Sequence, residues 1–324
     1  MRQKEYADFL YGYDETEGFS IVPKKKIEIP STFYKYYALT NYNVEALTNL
    51  YVYASHPKQF NDPFDCNEKL IEFNTWDDIR NLWEDKFDIF RKTYPTIESA
   101  CENSNKAYWY VLYKKLGLVS LSPVCDNYIM WALYAQNNGF CIEFDVDKMP
   151  FRHFGPFPIN YVECVSEPVR IGDVGGDIAM LIQTNIKNNW WKHEEEWRLY
   201  IPNPIGFEMK CYGNEYEMSQ YNHGDEHDRK FRYPYEVLRS ITLGTRFFDK
   251  LSVSKLSSEE TDIVCIPNTN SKELKVLDFL ARLTEKLQIP IRLAILSDFN
   301  KYEFVSIRIL KYAELKFRII IVNE

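Results

Sequence analysis

The sequence predicts an α+β protein: a mixed, mostly antiparallel sheet core carrying helical insertions. Short tyrosine-rich and β-branched runs, bounded by Pro, Gly, Asn or Asp, recur along the chain and read as strands. Between them lie stretches whose apolar residues stand three and four apart, as amphipathic helices require. No repeat, low-complexity linker or sharp change of composition separates the two kinds of segment, so one domain over 31–324 is the simplest expectation.

Composition bounds the rest. A chain of 324 residues can be one large domain or two ordinary ones. At that size roughly three quarters of the unfolded surface can be buried, so disulfides are not needed. Aromatic content is 16%, with 24 Tyr and 21 Phe, which favours sheets and clefts with stacking surfaces. A net charge of −8 argues against broad binding to phosphate backbones and leaves a local basic groove open. Seven cysteines, an odd number with no C-x-x-C, give no support to zinc ribbons or redox motifs and point to a reduced compartment. The opening residues lack the apolar region of a signal peptide, and no run of eighteen apolar residues exists. A soluble cytoplasmic protein with no membrane association is therefore expected.

Residues 1–30 mix charge with glycine and read as an N-terminal arm ending at Pro30. Strands are expected over 33–39 and 50–54, with a short helical piece over 44–50 between them. The run Phe60-Asn61-Asp62-Pro63-Phe64-Asp65 is a turn by composition. Asp62 and Asp65 beside aromatics could contact a ligand, although such groups more often bond their own backbone.

Residues 74–116 form the expected helical insertion, with Trp76, Ile79, Trp83, Phe87 and Phe90 as a core stripe, a break at Pro95 and a stop at Gly117. A strand over 118–122, a helix capped by Asp126 and a strand over 140–144 follow, compact enough to hold Ser120, Ser122 and Tyr134 near one another. After a Pro- and Gly-rich connector comes a strand over 159–162, then a helix over 178–189. Beyond Pro202 the chain is irregular until strands over 239–244 and 262–266. A long helix begins at Ser271 with Leu274, Leu277, Leu280 and Leu283 on one face, and strands over 291–296, 304–310 and 317–322 close the chain.

The most informative stretch is 189–201, Asn-Trp-Trp-Lys-His-Glu-Glu-Glu-Trp-Arg-Leu-Tyr-Ile, closed by Pro202. Read as a strand, it puts Glu194, Glu196, Arg198 and Tyr200 on one face lining a cleft, and Glu195, Trp197, Leu199 and Ile201 on the other. Two carboxylates at i and i+2 then have Cα atoms about 6.5–7 Å apart. Read as a helix, Glu194 and Arg198 are an ordinary surface ion pair worth a few tenths of a kcal/mol. Trp197, Tyr200 and Ile201 favour the strand.

Other motifs weigh less. His223-Gly224-Asp225-Glu226-His227 spells an H-x-x-E-H zinc pattern, but its composition reads as loop and the chemistry needs a helix. Glu273-Leu274-Lys275 and Glu314-Leu315-Lys316 resemble nuclease triplets without an upstream partner, and Glu273 suits the first turn of its helix. No G-x-G-x-x-G, P-loop or G-x-S-x-G occurs. Two chemistries use a paired carboxylate beside aromatics. One is glycoside hydrolysis. The other is displacement at the ribose carbon of NAD, where a carboxylate stabilises an oxocarbenium-like centre, tyrosine faces stack nicotinamide and a second carboxylate orients the acceptor.

Several blocks together resemble the uncharacterised bacterial family called domain of unknown function twenty-nine seventy-one. They are Tyr34-Lys35-Tyr36, the 60–65 turn, Met130-Trp131-Ala132-Leu133-Tyr134-Ala135 followed by Gly139-Phe140-Cys141-Ile142-Glu143-Phe144, and Trp191 with Glu194, Glu196, Trp197 and Arg198. The motif order is similar to that of the ADP-ribosyltransferase superfamily. The resemblance implies an ADP-ribosyltransferase-like fold, Tyr34 or Tyr36 at the first signature, Tyr134 (or Ser120 or Ser122) at the second, Glu196 as the catalytic carboxylate and Glu194 on the acceptor side. Tyrosine replaces the histidine or arginine of the first signature, and Leu133 stands where the family often has histidine. NAD as substrate, with no metal, is the implied cofactor; its candidate contacts are Tyr34, Tyr36, Asn61, Asp62, Ser120, Trp131, Tyr134 and Arg198.

The expected activity is thus NAD-dependent ADP-ribosyl transfer to an unknown protein or nucleic acid. Family association suggests a phage-defence or toxin effector with a cognate antitoxin or defence partner. Two alternatives stand beside it. A non-catalytic ligand-sensing or protein-binding module would have Glu196 paired to Arg198 or another internal cation. A metal-dependent nuclease would bring Asp62, Asp65 and a glutamate onto one ion.

Overall fold

A computed structural model describes residues 2–14, 18–149, 155–165, 167–202, 229–266, 268–297 and 301–322. Its architecture is mixed α+β with mostly antiparallel sheets. Contacts divide the chain into two compact units. The first comprises Met1–Glu28, Tyr53–Ser120 and His153–Phe231; the second comprises Ile29–Val52, Leu121–Arg152 and Arg232–Glu324.

The first unit opens with a surprise relative to the sequence. The segment expected as an arm is a three-stranded antiparallel meander, Arg2–Tyr6, Phe9–Asp14 and Gly18–Pro23. Phe9, Tyr11 and Ile21 of the second and third strands are buried, while Arg2, Lys4 and Glu5 of the first strand are exposed. The helical stretch is three helices, Trp76–Trp83, Phe87–Thr93 and Ile97–Lys115. Thr75 caps the first through a reciprocal box with Asp78, and Thr96 caps the third. The expected stripe is core: Ile79, Trp83, Phe87 and Phe90 are buried, with Trp83 and Phe90 stacked at 4.2 Å between centroids. The third helix passes directly into the strand Leu116–Leu121 without a glycine stop. Gly117 is used for close approach instead, since a Cβ there would lie 2.5 Å from that of Ala54.

Two boundaries near the site differ from expectation. The helix foreseen over 178–189 is Gly176–Asn185; the strand Ile186–Asn188 follows, paired in parallel with Asn160–Val162. The strand foreseen from Glu194 begins only at Trp197. Residues Asn189–Glu194 form a 3₁₀ helix capped by the Asn188 side chain, and Glu195 sits in the left-handed region at φ 46°. Asn188 at the start and the turn at Glu195 override the alternation that Trp197 to Ile201 do obey.

The second unit is built on an eight-stranded sheet ordered Ser252–Lys255, Glu260–Val264, Lys316–Ile321, Tyr302–Ala313, Ile291–Leu296, Leu238–Leu243, Phe140–Asp145, Thr32–Tyr37. Its one parallel pair, Leu238–Leu243 beside Ile291–Leu296, needs a long crossover, and the helix Ser271–Lys286 lies within it. That helix buries Leu277, Leu280 and Leu283 as its spacing predicts, adds Val276 and Phe279, and leaves Leu274 half-buried. Asn127, not Asp126, caps the short helix Tyr128–Leu133. Gly139 is required by crowding: a Cβ there would stand 1.9 Å from the Tyr37 carbonyl oxygen.

Candidate functional site, a buried ion cluster

The turn at Glu195 changes what the carboxylates do. Instead of lying along a strand and facing a cleft, Glu194 and Glu196 bend round one ammonium, that of Lys187. Its Nζ donates to Glu194 Oε2 at 2.5 Å and to Glu196 Oε2 at 2.9 Å, and stands 3.8 Å from Asp65 Oδ2. Lys187 comes from the short strand after the helix Gly176–Asn185, so the early end of that helix is what delivers it.

Arg198, one residue into the following strand, completes the cluster. Its guanidinium grips Asp65 through Nη1–Oδ1 at 2.9 Å and Nη2–Oδ2 at 2.5 Å, and Glu196 through Nε–Oε1 at 2.7 Å and Nη2–Oε2 at 3.1 Å. The remaining donor goes to the Thr184 carbonyl at 2.6 Å, so every N–H of the fork has an acceptor. The Phe60 ring lies 4.6 Å from its Cζ, and the Trp191 ring 5.1 Å from Lys187 Nζ. The Ser120 hydroxyl also hydrogen-bonds Glu196, whose backbone N–H donates to the Tyr161 hydroxyl at 2.8 Å.

All five charged side chains are at most 4% exposed. By formal charge, three carboxylates (Asp65, Glu194, Glu196) meet two cations (Lys187, Arg198), leaving one negative charge over. Burial works against the ionised form of Glu196, yet Arg198 and then Lys187 outweigh it and hold its pKa well below the ordinary range. For Lys187, burial opposes the ammonium, but the field of Glu196 leads the attractions that raise its pKa above the usual value. Burial likewise disfavours the Arg198 cation, and Asp65 followed by Glu196 raises its pKa well beyond the ordinary one. These are permanent ions clamped to one another. Breaking one such pair exposes an uncompensated buried charge, at about 3–5 kcal/mol.

The expectation of an open cleft lined by Glu194, Glu196, Arg198 and Tyr200 is corrected: Glu194, Glu196 and Arg198 belong to the cluster, and Tyr200 is fully buried. Of the further residues expected at the site, Ser120 joins the cluster. Asp62 does not; its Oδ1 accepts the Phe64 N–H at 2.9 Å in the backbone turn that its composition favours, and its Oδ2 is buried with no partner among the described residues. Asn61 beside it is exposed. Asp65, Glu194 and Glu196 do converge, and the position at their centre is taken by the Lys187 ammonium. No group of three or more His, Cys, Asp or Glu among the described residues is placed to hold a metal. His223, Glu226 and His227 lie outside the described residues.

Tyr34, Tyr36, Trp131 and Tyr134 belong to the second unit, where they share one aromatic cluster with Tyr302 and Phe304. Trp131 is fully buried, edge-on to Tyr36 at 5.3 Å, and its indole N–H donates to the Cys125 carbonyl at 2.8 Å. Beside them lies Glu143, buried on the strand paired with that of Tyr34. Its Oε2 accepts from Ser240 Oγ at 2.5 Å and faces Arg292 at 3.5 Å. Burial first, and then Glu143, raise the Tyr34 phenol's pKa.

Lys187 is the residue the sequence did not reveal. It falls inside the helix expected over 178–189, where nothing in the spacing singles it out. Its signal was Asn185, the last residue of the helix, and Asn188, which ends the strand and caps the 3₁₀ helix that follows.

A cavity of about 400 Å³ adjoins the cluster at Lys187. Among the described residues no helix is long and apolar enough to cross a membrane. No family model, curated protein or solved structure matches the chain.

Proposed function

We propose that the chain is a non-catalytic ligand-sensing or protein-binding module, in which the ion cluster is a rigid support and not a reaction centre. One observation carries this reading. Both carboxylate oxygens of Glu196 are engaged by Arg198 and Lys187 in a site only 4% exposed. A carboxylate that accepts a proton or shields a developing cation has to reach its substrate, and this one is spent on internal partners.

A second reading, glycosyl transfer from NAD, keeps one observation in its favour. Ser120, Glu194, Glu196 and Arg198 occupy one cluster, and Glu196 is held ionised, as an oxocarbenium-like centre would require. In that reading Glu196 is the catalytic carboxylate, Glu194 faces the acceptor, and the partners are a macromolecular acceptor and a cognate antitoxin or defence protein.

Labelled NAD separates the two. Wild type and Glu196→Gln are incubated with NAD and candidate acceptors, and nicotinamide release and label transfer are followed. The binding-module reading expects neither above background in either protein. Turnover in wild type that Glu196→Gln abolishes would overturn it in favour of the transferase.

A further inference from the structure

We propose that the cavity beside Lys187 is a binding site for a small organic molecule that presents N–H donors on an apolar body: an amide or an amine. The inference extends the binding-module reading by naming where recognition happens and what chemistry it selects.

The cavity lies wholly within the first unit, between the turn after Asp65 and the paired strands Asn160–Val162 and Ile186–Asn188. Its volume of about 400 Å³ falls in the range of small-molecule pockets. Leu70, Val162 and Ile186 supply apolar wall, and two apolar side chains stand at its rim with much of their surface in solvent, Phe64 at 71% and Val165 at 44% exposed. Exposed apolar surface around a concavity is the usual form of a recognition site for an apolar body.

Gln183 is among the residues lining the cavity, and it is the polar group we assign to recognition. The side chain is fully buried, and its amide nitrogen donates to the Asn67 carbonyl at 2.8 Å. That bond fixes which way the amide points. The oxygen Oε1 is then a buried acceptor without a partner among the described residues. A lone buried acceptor costs about 1–3 kcal/mol until something donates to it. Asn67, which holds the amide in place, lines the same cavity.

Charge decides which donors are favoured. Lys187 lines the cavity, but its ammonium is already shared by Glu194, Glu196 and Asp65. Lys69 also lines it, together with Glu163 and Glu167. Counting cluster and lining together, five carboxylates (Asp65, Glu163, Glu167, Glu194, Glu196) face three cations (Lys69, Lys187, Arg198), a formal balance of −2. An anionic ligand meets net repulsion, while a neutral amide or a cationic amine does not.

The test uses the full chain and three ring-sized probes of nearly equal shape: benzamide, benzylamine and benzoate. Binding is read by ligand-detected NMR and titration. Benzamide and benzylamine are expected to bind, and benzoate at least about tenfold more weakly. Val165→Trp, at the exposed rim, is expected to block both donors without changing thermal unfolding. Gln183→Leu is expected to weaken benzamide about tenfold, the scale of one lost hydrogen bond. If Gln183→Leu fails to fold, Val165→Trp and the comparison of benzamide with benzoate decide.

The proposal is overturned if neither donor probe binds, if benzoate binds as well as benzamide, or if Val165→Trp leaves binding intact. The NAD assay answers separately. Donor binding that Val165→Trp blocks, together with NAD turnover that needs Glu196, would sink the non-catalytic reading and leave this site standing. The converse pattern would do the reverse.

Discussion

The ammonium of Lys187 stands 2.9 Å from Oε2 of Glu196, with the two side chains 3% and 4% exposed. Neither group could be left in that position alone. Each is ionised because the other is there, and Arg198 and Asp65 extend the same dependence across three segments of the chain.

Lys187→Met is therefore expected to destabilise the first unit by about 3–5 kcal/mol, because three buried carboxylates would be left with one cation. Adding Glu194→Gln to that variant should recover part of the loss, since it removes one of the stranded charges. Denaturant unfolding of the single and double variants checks this. Equal stability of wild type and Lys187→Met would show that the cluster carries no net energy.

Stability should fall on acidification through this same cluster. The pKa of Glu196 is lowered in the fold from an ordinary 4.5, so its contribution is present above that value and is lost as pH drops toward its folded one. Lys187 behaves oppositely. Its pKa is raised from 10.5, so its contribution is complete below that value and is lost only as pH rises through the higher folded one. Unfolding followed from pH 7 down to pH 2 should thus show a steeper loss for wild type than for Glu196→Gln. Parallel curves would mean that Glu196 titrates alike in folded and unfolded chains.

The residue types of the cluster were legible in the sequence, but their geometry was not. The alternation of Trp197, Leu199 and Ile201 marks a strand, and the tryptophan and leucine stripes mark helices that the structure contains. What alternation cannot encode is the left-handed turn at Glu195, because a non-glycine residue adopts it only when its surroundings hold it there. That single turn converts a cleft-lining pair into a buried one. Asp65 was visible as a carboxylate near aromatics, but its partner Arg198 is 133 residues away, and such a pairing is set by tertiary packing alone. The N-terminal meander was missed for a related reason: its first strand, Arg2–Tyr6, is charged and exposed and looks like a solvated arm.

A second buried carboxylate offers an independent check in the second unit. Ser240 Oγ donates to Glu143 Oε2 at 2.5 Å, and Arg292 lies 3.5 Å from the same oxygen. Ser240→Ala removes that hydroxyl donor and leaves Arg292 and the Tyr34 hydroxyl beside Glu143. It is expected to cost about 1–3 kcal/mol by leaving a buried acceptor under-satisfied. Ser240→Thr, which keeps the hydroxyl, should restore most of it. Differential scanning of the two variants distinguishes a lost hydrogen bond from a packing change.

Trp131 separates packing from ligand contact in the aromatic cluster. It is fully buried against Tyr36, and its indole N–H satisfies the Cys125 carbonyl. Trp131→Ala empties a large volume and strands that carbonyl, so a loss of about 3–5 kcal/mol is expected. Trp131→Phe keeps most of the ring contact but still removes the donor, and should cost less. If the cluster instead served to stack a nicotinamide ring, the exposed faces would matter more than the buried one. Tyr134→Ala would then reduce NAD binding while barely touching stability, and Trp131→Phe would leave NAD binding unchanged. Under the binding-module reading, both variants change stability in proportion to the apolar area they bury and neither changes any response to NAD. Thermal unfolding measured with and without NAD on this pair therefore decides what the aromatic residues are for.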